Sequence, residues 1–352
     1  MTKLRLFSAA AALGAIVLLG PSGSAQEFPY QIFERYIEPL AQQIGMPGLS
    51  ALILRDGDIA WERGYGYQDA EGKIPATPDT PYAIGGVTQA MTGVLIGVCI
   101  DRYRFNVDDP MRKYVPTFPV AGASVREVLA HASTGRYEYN PAYYTALTPV
   151  VETCSSTTYR QNAAVELLDR FAMIRSAPGL DLIRPEGEAA RQLFDARDLA
   201  RYSGILQNVA VPYRIDSRTG RAIRSEYPSY GLDAGGGMVS TARDLARFES
   251  AVDRGQPLSS STLNQMWNPV IVNDIAMPTG LGWFVQNASG ARLVWTFGHI
   301  ADAGSALILK MPHKRLTLIL LANSPGLAAG YQLERGDATT SPFVKIFLRL
   351  FL

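Results

Sequence analysis

Apolar positions along the chain recur with three different rhythms. After a basic start (Lys3, Arg5), a largely apolar run covers residues 6–20 and is followed by small residues ending in Gly23, Ser24 and Ala25. Phe33, Tyr36, Ile37, Leu40 and Ile44 then fall at helical spacing, which predicts an amphipathic helix closed by Gly45-Met46-Pro47-Gly48. Two β-prone runs, 49–54 and 59–67, flank Arg55-Asp56-Gly57-Asp58 and predict a hairpin. Over 88–103 the helical period returns, with Met91, Leu95, Cys99 and Ile100 on one side.

The middle of the chain reads as mostly helical. Asp108-Asp109-Pro110 and Pro116 mark turns. A helix starts over 125–129, with Ser124 and Glu127 at capping-box spacing, and helices over 144–152 and 160–171 follow. From 178 to 230 Pro, Gly, Arg and Asp abound and the periodicity weakens, which predicts a long, partly irregular surface connection. Gly235-Gly236-Gly237 lead to a helix over 242–252 with Ser240 or Thr241 as N-cap, and runs 282–286, 292–297, 305–311 and 315–323 read as strands. With the N-terminal hairpin these strands form an antiparallel sheet flanked by the terminal helices, beside a mostly helical lobe: an α+β fold. Residues 342–352, apolar with Lys345 and Arg349 four apart, either close the fold as a helix or lie on a membrane surface.

The basic start, apolar run and small residues form a secretory leader over 1–25, cut before Gln26, or else a retained membrane anchor. The expectation is an exported protein, periplasmic or extracellular, whose residues 26–352 make one domain of two interleaved lobes. Loss of Lys3 and Arg5 with no acid takes the formal charge from +1 to −1, no footprint for nucleic acid. A chain with 47% hydrophobic and 18% charged residues can bury a large core. Cys99 and Cys154 either pair in an oxidising compartment or stand as buried free thiols. With no CxxC and only three histidines (His131, His299, His313), no metal site is expected, and no cofactor is implied.

Several segments, in order, carry a resemblance. Tyr82-Ala83-Ile84-Gly85-Gly86-Val87-Thr88-Gln89 opens an apolar helix; Asn106-Val107-Asp108-Asp109-Pro110 makes the next turn; Val125 to Ser133 reads VREVLAHAS. Tyr139-Asn140-Pro141, Gly236-Gly237-Met238-Val239-Ser240-Thr241-Ala242-Arg243-Asp244-Leu245 and Gly298-His299-Ile300-Ala301 follow. Together these are similar to the serine β-lactamase and penicillin-binding protein family, on the side of class C β-lactamases, D-alanyl-D-alanine carboxypeptidases and esterases. The resemblance implies a β-lactamase-like (transpeptidase-like) fold. It also implies a serine nucleophile with a lysine three residues on, a YxN motif and an HxG motif on a sheet strand.

Gly86 stands where the resemblance places the serine, and Gln89 where it places the lysine. Glycine has no nucleophile and an amide is no base near neutral pH. None of the six lysines has a serine three residues before it, and Thr88 falls on a different helix face. Tyr139 keeps the tyrosine of the second motif, but Pro141 replaces its asparagine; His299 keeps the histidine of the third, but Ala301 replaces its glycine. Tyr139 and His299 serve either as polar groups of the site or as packing residues. Four lost residue types suggest a pseudoenzyme with a binding or scaffolding role in the cell envelope. Its partner is then a cell-wall peptide, another protein, or a small carbonyl or carboxylate ligand held by backbone N–H groups at the Gly86 helix start. The alternatives are a hydrolase working through Tyr139, His299 and an activated water, or a degenerate copy.

Overall fold

The computed structural model describes residues 24–102, 106–229 and 231–352. The leader expected over 1–25 falls almost wholly outside them. The main sheet consists of β1 (Gly48–Arg55), β2 (Asp58–Asp69), β3 (Ile74–Pro75), β4 (Phe284–Ala288), β5 (Ala291–Ile300), β6 (Gly304–Met311) and β7 (Leu316–Ala322). The strands lie in the order β4-β5-β6-β7-β1-β2-β3, every pair antiparallel. Every residue of β6 and β7 is buried. Strands covered on both faces read as continuous apolar runs, and these two are the most uniformly apolar runs in the C-terminal half.

The two-residue period divides the strands between two cores. Leu307, Leu309, Leu318 and Leu320 face α1 (Ser24–Ile44) and the C-terminal helix Pro342–Phe351. Phe33 of α1 meets Trp61 and Phe347 edge-on, with ring centroids 5.4 and 6.1 Å apart. The apolar face of the C-terminal helix (Phe343, Val344, Phe347, Phe351) is spent in this core, which decides for the closing helix over a membrane-lying one. On the other face Leu52, Ile308, Ile319 and Leu321 pack against the helical lobe. At the centre of that lobe is α2 (Val87–Asp101), buried at every residue from Val87 to Cys99, so it is apolar all round and not on one side as its spacing suggests. Among the described residues no helix is long and apolar enough to cross a membrane.

Three predicted elements differ in detail. The helix expected over 144–152 is two, Pro141–Thr145 and Thr148–Ser155, because Pro149 belongs in the first turn of a new helix. The one expected over 160–171 starts as Tyr159–Ala163 and widens into a π-helix, Ala164–Asp169. The connection over 178–230 contains a helix, Ala196–Leu206, capped by Asp195, and a hairpin of Tyr213–Ile215 with Ala222–Arg224. Only Tyr202 and Leu206 of that helix are buried, too narrow a stripe to stand out among its charged neighbours. A buried bidentate pair, Arg160 to Asp181 at 2.9 and 2.8 Å, pins the connection to the lobe. Cys99 and Cys154 are disulfide-bonded, joining α2 to Thr148–Ser155 across a Cα separation of 5.9 Å.

Lys310 interrupts the apolar face of β6 and is 1% exposed. Its ammonium lies 2.7 Å from Glu249, bonds Asp253, and sits 4.7 Å from the ring centre of Trp267. Both carboxylates belong to α3 (Ala242–Asp253), so this cluster joins α3 to the sheet. Burial works against the lysine's charge, but the two carboxylates outweigh it and hold its pKa above the ordinary value. Lys310→Met leaves Glu249 buried without its counter-charge and is expected to lower unfolding free energy by about 3–5 kcal/mol in urea titrations. A loss under about 1 kcal/mol, the range of exposed pairs, would show the cluster to be dispensable.

Candidate functional site

The start of α2 is held by strands from two directions. Tyr82–Ala83 pairs with Val239–Ser240, and the N–H of Ile84 donates to Met238 O at 3.1 Å. From the other side β5 crosses so closely that a Cβ on Gly298 would lie 2.0 Å from Ile84 O, so only glycine fits. Gly85 is left-handed (φ +52°), and a Cβ there would come 3.2 Å from the His299 N–H nitrogen. Gly86, the N-cap, is equally confined: its Cβ would lie 2.7 Å from Phe297 O and 2.9 Å from the Tyr139 hydroxyl. The side chain missing at this position therefore has no vacant place waiting for it.

One turn on, Gln89 is 4% exposed and hydrogen-bonded along its length. His131 Nδ1 accepts the Asn140 N–H (3.2 Å), so the ring proton is on Nε2 and donates to Gln89 Oε1 at 3.1 Å. The amide is thereby oriented with Nε2 towards Tyr139 Oη and Gly235 O, each 3.4 Å away. A lysine has no acceptor and could not take the His131 proton. The glutamine is thus the residue this surrounding requires. Burial lowers the His131 pKa to about 3, so the ring is neutral at physiological pH. Burial also raises Tyr139 well above the usual tyrosine value, so its phenol stays protonated.

Gly86, Gln89, Tyr139, Pro141 and His299 line one open cleft with a volume of about 310 Å³. Five of the six positions singled out in the sequence thus converge. Ala301 does not: β5 ends at Ile300, and Ala301 is exposed in the turn to β6. The expectation that Ala301, standing for the third-motif glycine, forms part of the site is corrected: it lies outside the cleft. Pro141 starts a short helix capped by Asn140, whose side chain accepts the Tyr143 N–H at 3.0 Å. Thr88 takes the Met238 N–H (3.3 Å) and Thr92 bonds Ala234 O (2.7 Å), so both threonines hold the wall of the cleft. The helix start is less open to an anion than the sequence suggests, because the N–H groups of Val87, Thr88 and Gln89 are committed to Ile84, Gly85 and Gly86 carbonyls.

Sequence reasoning missed His131, Thr145, Asp233 and Glu334. Thr145, Asp233 and Glu334 line the same cleft. Asp233 accepts from the N–H groups of Gly235 (2.7 Å) and Gly236 (3.1 Å) and from the Thr145 hydroxyl (3.2 Å). An aspartate two residues before a glycine run is the local signal that could have found it. His131 stands within the VREVLAHAS segment but shows its role only through its contact with Gln89. Glu334 comes from a turn near the C-terminus and has no local signature.

The Beta-lactamase family model matches residues 33–338. This chain belongs to the β-lactamase family. Over 88 residues it is 39% identical to Protein flp of Staphylococcus aureus (strain N315), covering 25% of this chain and 18% of that protein. Over 111 residues it is 31% identical to the teichoic acid D-alanine hydrolase of Staphylococcus aureus (strain MRSA252), covering 31% and 26%. The match thus spans about a quarter or less of these curated relatives. Among solved structures, the octameric penicillin-binding protein homologue from Pyrococcus abyssi superposes with a TM-score of 0.70 at 22% identity, over 84% of this chain and 74% of that one. The D-amino acid amidase from Ochrobactrum anthropi SV3 does so at 0.70 and 17%, over 92% and 98%. At these identities the structures show a shared fold, and it is the β-lactamase-like, α+β fold that the sequence motifs imply.

Two expectations follow for this β-lactamase family member. Gly86→Ala forces β5 away from α2 and should cost about 1–3 kcal/mol of stability, read from chemical unfolding; a neutral result would show that the strand yields freely. His131 has a folded pKa below its unfolded value, so the unfolded chain binds the extra proton between about pH 6.5 and 3. Its contribution is complete above pH 6.5 and is lost as pH falls through that window, by up to about 1.4 kcal/mol per pH unit. His131→Asn should flatten that part of the stability profile by one proton; an unchanged slope would mean the ring is not buried neutral.

Proposed function

We propose that the chain is an exported, catalytically inactive member of the β-lactamase family. It binds a small carbonyl-bearing ligand, such as the end of a cell-wall peptide, in the cleft around Gly86, Gln89, Tyr139 and His299. One observation carries this reading: Gly86 offers no nucleophile, and the space a serine would need is taken by Phe297 O and the Tyr139 hydroxyl. The His131 bond to Gln89 supports it, since it fixes an amide where proton transfer would need a base. Export rests on the leader signal, and the Cys99–Cys154 disulfide suits an oxidising compartment. A rearranged hydrolase would rely on Tyr139 as its base, yet burial keeps that phenol protonated.

The test is turnover by the purified protein on a chromogenic cephalosporin and on p-nitrophenyl esters, together with labelling by a fluorescent penicillin. No covalent label and no saturable hydrolysis are expected. Saturable turnover that Tyr139→Phe or His299→Ala abolishes would overturn the proposal in favour of the rearranged hydrolase.

A further inference from the structure

Away from the cleft, one buried amide is left without a partner. Asn162, in the helix Tyr159–Ala163, is 7% exposed, and among the described residues its side chain makes no hydrogen bond. An asparagine amide has two N–H donors and a carbonyl acceptor, and burying it with none of them used costs folding free energy. The helix does not require it: the Asn162 N–H donates to Thr158 O at 2.9 Å, and the cap is the Thr158 side chain. The amide is not sealed in. It reaches the wall of an open cavity of about 360 Å³ that shares no residue with the cleft at Gly86. Its polar neighbours on that wall are satisfied, Gln161 donating to Leu193 O at 3.1 Å and the Ser155 hydroxyl to Val151 O at 2.9 Å.

The rest of the cavity describes what would complete Asn162. Apolar surface lines it: Val165, 57% exposed on the π-helix Ala164–Asp169, and part-buried Leu193 and Phe194. Its rim is acidic. Glu166 is held by Arg102 and Arg170 at 2.9 and 2.8 Å, and Asp169 and Asp198 share Arg201 at 3.0 and 3.4 Å. That leaves Asp195 with no ion pair among the described residues; its Oδ1 accepts the Asp198 N–H at 2.8 Å. Among the described residues no acidic, histidine or cysteine side chains are grouped to hold a metal ion, so the matching cation is organic. In an extended chain the N–H and C=O of one residue point the same way, a pair that a single side-chain amide meets with two hydrogen bonds. We infer that this cavity is a second binding site, for a short extended peptide segment that lays the backbone of one residue on the Asn162 amide and a basic side chain on the rim at Asp195. A polyol could meet the amide but brings no charge to the rim. The site stands independently of the reading given to the cleft.

The experiment titrates the whole protein with blocked single residues, the N-acetyl methylamides of lysine, norleucine and glutamate, and with glucose, following backbone amide signals by NMR. The lysine probe is expected to shift signals in 155–169 and 193–198, to bind about threefold more tightly than the norleucine probe and at least about tenfold more tightly than the glutamate probe. Asn162→Leu, close in volume and without polar atoms, should weaken the lysine probe by at least about tenfold and leave the unfolding midpoint unchanged or raised, because no orphaned amide remains buried. Asp195→Asn keeps the helix cap and removes the charge. It should bring the lysine probe down to the norleucine value, and it gives an independent reading if Asn162→Leu disturbs folding. No shift at these residues with any probe, equal or tighter binding of the glutamate probe, a response to glucose at lower concentration than to the lysine probe, or an affinity that neither substitution changes would overturn the inference.

Discussion

The arrangement of this protein depends on how closely β5 approaches the turn that starts α2. Gly298 lets the strand pass against Ile84 O, and Gly85 and Gly86 present no side chains to hold it off. Three glycines from two distant parts of the sequence thus make one contact. From it follow the position of His299 at the mouth of the cleft, the placing of Phe297 O 2.7 Å from where a serine Cβ would be, and the ring of Tyr139 tilted against Phe297 with centroids 5.2 Å apart. The absence of a nucleophile is in this sense a packing property as much as a missing functional group.

The hydrogen bonds around Gln89 complete the same change. In an active relative the position three residues after the nucleophile carries a base; here it carries a group that must accept on one side and donate on the other. His131 supplies the donor, fixed as the Nε2–H tautomer by the Asn140 N–H, and Tyr139 and Gly235 take what the amide donates. Gly86 and Gln89 therefore belong together: one removes the nucleophile, and the other satisfies a buried histidine that a lysine would leave unpaired. What remains is a cleft with polar walls and, among the described residues, no lysine or arginine, its wall held by Thr88 and Thr92.

Most of the fold could be read from the sequence, because its strands and terminal helices obey simple periods. β1, β5, β6 and β7 lie within a few residues of their apolar runs, and Ser124 and Thr241 cap the helices that their spacing predicts. The site was legible where a motif has a fixed order, as for Gly86, Gln89, Tyr139, Pro141 and His299. It was not legible where partners come from distant turns: Glu334 near the C-terminus, or His131 paired across forty-two positions with Gln89. Ala301 was misjudged because the motif extends one residue beyond the strand that carries it. The helix Ala196–Leu206 was hidden by a surface so charged that only two of its residues are buried.

The central claim is that the site has closed over its nucleophile position and has not simply lost a side chain. A crystal structure of the Gly86→Ser, Gln89→Lys double variant tests it most directly. This account requires β5 to be pushed away at Phe297, or the serine hydroxyl to be turned out of the cleft, with the His131 Nε2–H left without its acceptor. An undisturbed β5, with the serine hydroxyl in hydrogen-bond range of the new lysine and pointing into the cleft, would contradict it.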